Sequence, residues 1–262
     1  MPGELRLDEP ADGVLRLTIA NPEKRGALDH TILDAIAATV SGIDDTVRAI
    51  VLRGHDGQFS SGYDIGDLPD DVFAEEAEKL VAHPFTGAID ALDACPVPTV
   101  AALTGHTIGG GLEVTLACDF RIAADGIRLG MPPAKLGLVY SHTGLRRFLN
   151  AIGEPRTRQL FLLGRYIDAP TAASWGLVHE VVDGQALDDT ALEWATELAG
   201  NAPLSVRGNK RALRALLAAE GELDPVVEQE LIALREACFH SDDLLEGVKA
   251  FGERRPARWT GR

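Results

Sequence analysis

The sequence predicts an α/β fold that passes into a mainly helical C-terminal third. Three observations predict it: short segments alternate apolar and polar residues, helical stripes fall between them, and from about residue 150 helical spacing takes over. Leu15, Leu17 and Ile19 alternate with Arg16 and Thr18, the period of a half-buried strand, and Asn21-Pro22 ends it. A helix follows with the stripe Ile32, Ile36, Val40 and Ile43. Asp29 is placed as its N-cap, because a carboxylate oxygen can accept from unpaired first-turn amides, and Gly42 lies near its end. Ala49 to Leu52 reads as a strand and Gly54 to Gly62 as a loop. Pro98 has no N–H to give a ladder, so it suits the start of the strand Thr99 to Leu103. Gly105 breaks that strand, Gly109 to Gly111 open a helical stretch Leu112 to Ala117, and Phe120 to Ala123 is another short strand. Thr157 to Leu163, Thr171 to Trp175, Asp188 to Leu198, Leu204 to Ala219, Pro225 to Cys238 and Asp242 to Phe251 then have helical spacing or strong helix formers. No long linker, low-complexity tract or solenoid repeat interrupts them.

At 262 residues, 45% hydrophobic and 25% charged, the composition excludes a disordered chain, a collagen and a disulfide miniprotein. Lys and Arg number 25 against 40 Asp and Glu, a net −15 that repels nucleic-acid backbones and anionic membrane surfaces. A polyanionic ligand therefore needs a local basic patch. Cys95, Cys118 and Cys238 stand far apart without a C-x-x-C pair, so buried thiols are expected rather than disulfides. No basic n-region with an apolar stretch opens the chain and no run of about 18 apolar residues occurs, so a cytoplasmic protein with no membrane span is expected.

G-x-x-x-x-G-K-[ST], H-E-x-x-H and G-x-S-x-G are all absent, which removes the best support for ATP, zinc-protease and serine-hydrolase readings. The seven histidines have no metal-ligand spacing, and no metal site is expected. Thr104-Gly105-His106-Thr107-Ile108-Gly109-Gly110-Gly111-Leu112-Glu113 stands out, a strand entering a glycine-rich turn and then a helix. First-turn amides lack intrahelical partners and carry the positive end of the dipole, so they can bind an oxygen that becomes negative during a reaction. Glu113 falls in that first turn. Taken alone, the segment also fits a tight turn with a carboxylate favoured by the dipole. Phe59-Ser60-Ser61-Gly62-Tyr63-Asp64-Ile65 is a second small-residue turn, able to offer another backbone donor or simply to face solvent.

Together with the rest of the chain, these segments resemble the crotonase, or enoyl-CoA hydratase/isomerase, family nearly end to end. Asn21 to Leu28 resembles its N-P-x-x-R/K-N-A-L, with Gly26 in place of asparagine, and Phe59 to Ile65 resembles F-S-A-G-x-D-I/L. Val97 to Asp119 resembles the segment that carries its G-G-G-x-E-L and closing C-D. Gly176 to His179, Pro203 to Lys210 and Glu246 to Arg262 follow in the family's order. The resemblance implies a core of ββα units in a spiral over residues 1–200, holding a site for a coenzyme A thioester, and a helical region at 201–262 that builds trimers or dimers of trimers. It implies an acyl-CoA as the small-molecule substrate and no permanently bound cofactor. The backbone N–H groups of Tyr63 and Gly110 would form the oxyanion hole, with Lys24 and Arg25 near the CoA phosphates. Ala27, Leu28, Ser61, Asp64, Ile65, His106, Gly109, Pro133 and Gly137 complete the implied CoA and substrate set. A second basic cluster, Lys249, Arg254, Arg255, Arg258 and Arg262, is either a local patch or a solvated face.

An oxyanion hole does not choose the reaction. Family hydratases use one glutamate after the glycine triplet, here Glu113, and a second in a Q-P-E motif, whose position here is Pro133. Proline carries no proton, so two-carboxylate hydration is in doubt; losing one general acid or base costs about 10²–10⁴ in rate. The segment runs on through Tyr140. With Asp64 to Pro69 it resembles the methylmalonyl-CoA decarboxylase branch, in which a tyrosine holds the substrate carboxylate, although that branch has a histidine at the position of Tyr63. The expectation is a lyase that decarboxylates a small 2-carboxyacyl-CoA, with Glu113 and Tyr140 as its catalytic residues. A hydratase or isomerase using Glu113 is the alternative, and a non-catalytic CoA-thioester-binding scaffold is the alternative of another class. His106 and His142 lie near the same loops and either could carry a proton.

Overall fold

The computed structural model describes residues 3–64, 79, 84–219 and 225–260, and its first two strands already show what alternation alone leaves out. β1 (Glu4–Ala11) pairs antiparallel with β2 (Val14–Ala20), the strand expected around Leu15, Leu17 and Ile19. β1 is mostly exposed and charged, so its apolar pattern is weak. Its signal is the Asp12-Gly13 turn, with Gly13 at φ 71, a hairpin pair that only the pairing of the two strands makes decisive.

β3 (Ala49–Gly54), β4 (Thr99–Leu103), β6 (Phe120–Ala124) and β9 (Glu180–Val182) extend the sheet in parallel, in the order β1-β2-β3-β4-β6-β9. The parallel strands β3, β4 and β6 are buried almost continuously, which follows from cover on both faces. A smaller sheet holds β5 (Thr107–Ile108), β7 (Arg128–Gly130) and β8 (Ile167–Asp168) in the order β5-β7-β8. These short strands, like β9, carry too few residues for a period to be visible in sequence.

Helix α1 (His30–Ser41) buries Ile32, Leu33, Ile36 and Val40, and both expected ends hold: Asp29 caps it and Gly42 closes it. Asp29 Oδ1 accepts from Ile32 N at 2.9 Å and Oδ2 from Gly3 N at 2.7 Å. Asp29→Ala is expected to cost about 1 kcal/mol, read as a fall of about 2–4 °C in Tm. Helix α2 (Thr86–Ala94) packs against α1, and α3 (Gly110–Leu116) follows the glycine triplet. A short helix α4 (Pro133–Leu136) precedes α5 (His142–Leu163), which begins well before the expected Thr157. Ser141 caps it, and Gly153 at φ 75 splits it into two helices, which is why one continuous period does not show. Helices α6 (Ala169–Ser174) and α7 (Leu187–Gly200) follow, α7 packing against β3, β4 and β6.

The C-terminal helices are α8 (Pro203–Ala219), α9 (Pro225–Phe239) and α10 (Asp242–Gly252). Lys210 anchors α8: its Nζ lies 2.6 Å from Asp119 Oδ2 and donates to Val97 O at 2.8 Å, while Asp119 also accepts from Thr99 N and Oγ1. Leu204, Leu213, Leu216 and Leu217 of α8 are exposed. α10 returns to α4 through two glycines: a Cβ on Gly247 would strike Leu136 O, and one on Gly137 would lie 2.8 Å from Asp243 O. Phe239 and Leu244 form a second small core against which Tyr63 and Leu138 pack. Arg255 forks onto Glu246 at 2.6 and 2.9 Å, and this bond, first, holds the Glu246 carboxyl well below the usual carboxylate range. Of the second basic cluster, Arg255 is thus engaged with acids, and Arg262 lies outside the described residues. None of the described helices is long and apolar enough to cross a membrane.

Candidate active site

Two turns far apart in sequence lie side by side because Ser60 bridges Thr107 and Thr104 Oγ1 donates to Gln58 O, while Tyr63 bridges Leu28 on the other side of the first turn. Ser60 N donates to His106 O, and Ile108 N donates back to Ser60 O at 2.9 Å. On the other side, Leu28 N donates to Gly62 O at 2.8 Å and Asp64 N to Leu28 O at 3.1 Å, so the N–H of Tyr63 between them faces away from Leu28. Gly109 takes φ 57, ψ −130, open to glycine, and its carbonyl accepts from Leu112 N and Glu113 N. A Cβ on Gly62, itself at φ 104, would lie 3.6 Å from Gly110 N, so the two turns touch. Neither Tyr63 N nor Gly110 N has a hydrogen-bond acceptor among the described residues.

Glu113 points from the first turn of α3 into the protein and is 3% exposed. The Tyr140 hydroxyl donates to Glu113 Oε2, and its oxygen lies 3.2 Å from the Tyr63 hydroxyl. Tyr63 packs edge-on to Phe85 at 4.7 Å and its ring lies over Gly110, where a Cβ would come within 2.5 Å of a ring carbon. Tyr140 packs edge-on to Phe161 at 5.4 Å. One carboxyl and two phenols at such depth resist charge. Burial pushes the Glu113 carboxyl up, against the Tyr140 hydrogen bond and the cations Arg147 and Arg235, while Asp93 adds to the rise. Burial and the nearby Glu113 keep both phenols well above their ordinary range.

Three members of this constellation escape sequence reading. Arg147 Nε lies 3.6 Å from Glu113 Oε1, and Arg147 also donates to Asp93 of α2. Gly144, one turn before Arg147 on α5, leaves no room for a side chain: a Cβ would lie 2.6 Å from the Tyr140 ring and 2.9 Å from Glu113 Oε1. The one available signal was Ser141 as a cap, whose Oγ accepts from Gly144 N at 3.1 Å and starts the helix early enough to bring both residues over Glu113.

The remaining expected residues divide. Lys24 Nζ is paired with Asp64 at 2.9 and 3.0 Å, Arg25 is exposed at φ 56, and Ser61 bonds the carbonyls of both, its N to Arg25 O and its Oγ to Lys24 O. Ala27 and Leu28 are buried behind the bridge, and Ile65 lies outside the described residues. Pro133 begins α4 and is buried, leaving no titratable group at that position. Gly137 is used against α10. His106 Nδ1 accepts from Arg128 N at 3.0 Å, and His142 Nε2 lies 3.2 Å from Glu228, so both rings are held by partners other than Glu113. Cys95 and Cys118 are buried as expected, but Cys238 is only half-buried: it donates to Gly137 O and accepts from Val139 N, tying the segment before Tyr140 to α9. A cavity of about 490 Å³ lined by His30, Asp34 and Gly87 lies elsewhere, along α1 and α2. Among the described residues no three His, Cys, Asp or Glu group as metal ligands.

The enoyl-CoA hydratase/isomerase family profile matches residues 9–262. A carnitinyl-CoA dehydratase of Citrobacter koseri is 34% identical over 95% of each chain. A mitochondrial methylglutaconyl-CoA hydratase of Mus musculus is 31% identical over 97% of this chain and 82% of that one. A solved structure of methylmalonyl-CoA decarboxylase in complex with 2-nitronate-propionyl-CoA superposes with a TM-score of 0.89 at 25% identity, covering 99% of both chains.

Proposed function

The chain belongs to the enoyl-CoA hydratase/isomerase family, and from that premise we propose that it decarboxylates a small 2-carboxyacyl-CoA, such as methylmalonyl-CoA, through a thioester enolate. The observation that carries this reading is the pairing of Tyr140 with Glu113 beside the two acceptor-free amides, at a site where Pro133 supplies no second acid or base. The N–H groups of Tyr63 and Gly110 receive the thioester oxygen. With the C–CO2 bond turned perpendicular to the thioester plane, that bond breaks, its electron pair enters the carbonyl, CO2 leaves, and the α-carbon then takes one proton.

The raised Glu113 carboxyl suits this chemistry. A protonated Glu113 adds no charge beside the substrate carboxylate and donates to the Tyr140 oxygen, which frees the Tyr140 proton to orient that carboxylate. Lys24 and Arg25 at the outer edge of the first turn serve the CoA phosphates, the ion pair with Asp64 opening to do so. The exposed leucines of α8 are the face through which a trimer assembles.

The curated relatives named as a dehydratase and a hydratase favour a second reading, in which ionised Glu113 acts alone as the base that adds or removes water. Incubation with methylmalonyl-CoA and with crotonyl-CoA, followed by product mass, separates the two. Loss of CO2 is the expected result; gain of water on crotonyl-CoA with no CO2 from methylmalonyl-CoA would overturn the decarboxylase reading. Tight thioester binding with no turnover of either substrate would replace it with a binding scaffold.

A further inference from the structure

We propose that Arg147, held between Asp93 and Glu113, is a positioning residue that governs the aim and the charge of the Glu113 carboxyl. The inference rests on the reading of Glu113 and Tyr140 as the working pair. Three elements meet here: α2 brings Asp93, α3 brings Glu113 and α5 brings Arg147. The Arg147 side chain donates to Asp93 Oδ2, yet its buried Nε has no hydrogen-bond acceptor and stops 3.6 Å short of Glu113 Oε1. A buried donor without an acceptor is rare, and this one faces a carboxyl oxygen just beyond hydrogen-bond reach.

The placement tells the two Glu113 oxygens apart. Oε1 faces an N–H that can only donate, whereas Oε2 faces a hydroxyl that can donate or accept. A proton on Glu113 therefore resides on Oε2, aimed at Tyr140, and Oε1 remains an acceptor that a small shift brings onto Arg147 Nε. Gly144 permits this approach, since a side chain there would occupy the space against Oε1.

Asp93 has the opposing part. Bonded to Arg147, it offsets the guanidinium charge, which would otherwise hold Glu113 as a carboxylate. The groups facing Glu113 are Tyr140 from the segment ahead of α5, Tyr63 through Tyr140, Arg147 from α5, Arg235 from α9 and Asp93 from α2. Burial, first, pushes the carboxyl up; the Tyr140 bond and the two cations pull it down, and Asp93 adds to the rise.

The test measures kcat and kcat/KM against pH, together with the carboxyl C=O stretch of Glu113 by infrared difference spectroscopy on the free protein, the band being assigned by its loss in Glu113→Gln. Arg147→Gln is expected to move the Glu113 titration to higher pH, and Asp93→Asn to lower pH, each by about one unit or more. Arg147→Lys keeps the charge but loses the planar fork, so its titration stays near the parental one while kcat falls and KM does not. A merely structural role would lower thermal stability without moving the band. Shifts in the same direction, or an unmoved band in Asp93→Asn and Arg147→Lys with kcat unchanged, overturn the inference. Should Arg147→Gln not fold, those two variants carry the test. Opposed band shifts in a protein that releases no CO2 would overturn the decarboxylase reading and leave this inference standing.

Discussion

Tyr140→Phe is expected to lower kcat for decarboxylation of methylmalonyl-CoA by about 10²–10³-fold, the usual cost of removing one preorganised donor. Phenylalanine keeps the ring that packs edge-on to Phe161 and removes only the hydroxyl, so the fold is retained. The loss has two parts. Glu113 Oε2 and the Tyr63 hydroxyl both lose the atom that joins them, and the substrate carboxylate loses the donor that the proposed reaction uses to turn its C–C bond out of the thioester plane. Leaving Glu113 Oε2 without a partner also costs about 1–3 kcal/mol of stability if no water replaces the hydroxyl. Steady-state CO2 release and a thermal melt read the two effects separately. A variant that releases CO2 at the parental rate would remove Tyr140 from the mechanism.

The second large effect is in pH. Burial raises the Glu113 carboxyl from its ordinary value, which places its titration above that of an unperturbed, solvated carboxyl. The proposed decarboxylation uses an ionised substrate and a protonated Glu113. As pH rises, activity first grows with ionisation of the substrate and then falls through the Glu113 titration, about tenfold per unit beyond it. A base-catalysed addition of water would have the opposite limb, rising as Glu113 loses its proton. The profile of kcat/KM with each substrate decides the sign, and Glu113→Gln, which cannot titrate, should flatten the alkaline limb. A decarboxylation rate that climbs through the same range would assign Glu113 the role of base instead.

Much of the fold is legible in the chain because it rests on local rules. Of the expected stripe, Ile32, Ile36 and Val40 become the buried face of α1 while Ile43 falls beyond its Gly42 cap; the Asp29 cap forms, and the strand at Thr99 to Leu103 is fully buried. The misses are of one kind. β1 is exposed and charged, β7 to β9 are two or three residues long, and α5 changes direction at Gly153. Each of these draws its order from a partner in space, which no period within its own residues reports. The motif residues divide in the same way. Asp119 and Lys210, the last residues of two of the motif segments, bond each other and fasten α8 to the sheet; Gly137 and Gly247 serve the close approach of α10 to α4.

By itself the sequence determined the alternating α/β order, the family, and the two chemical facts that steer the reaction: a carboxylate at position 113 and none at 133. Tertiary structure alone decided what surrounds that carboxylate. Asp93 of α2, Arg147 of α5 and Tyr63 of the turn beside Gly62 come from three separate stretches of chain and meet around the Glu113–Tyr140 pair only in the folded protein. The charge state of a buried acid is a sum over neighbours in space and over the water it has lost, and neither quantity is written along the chain.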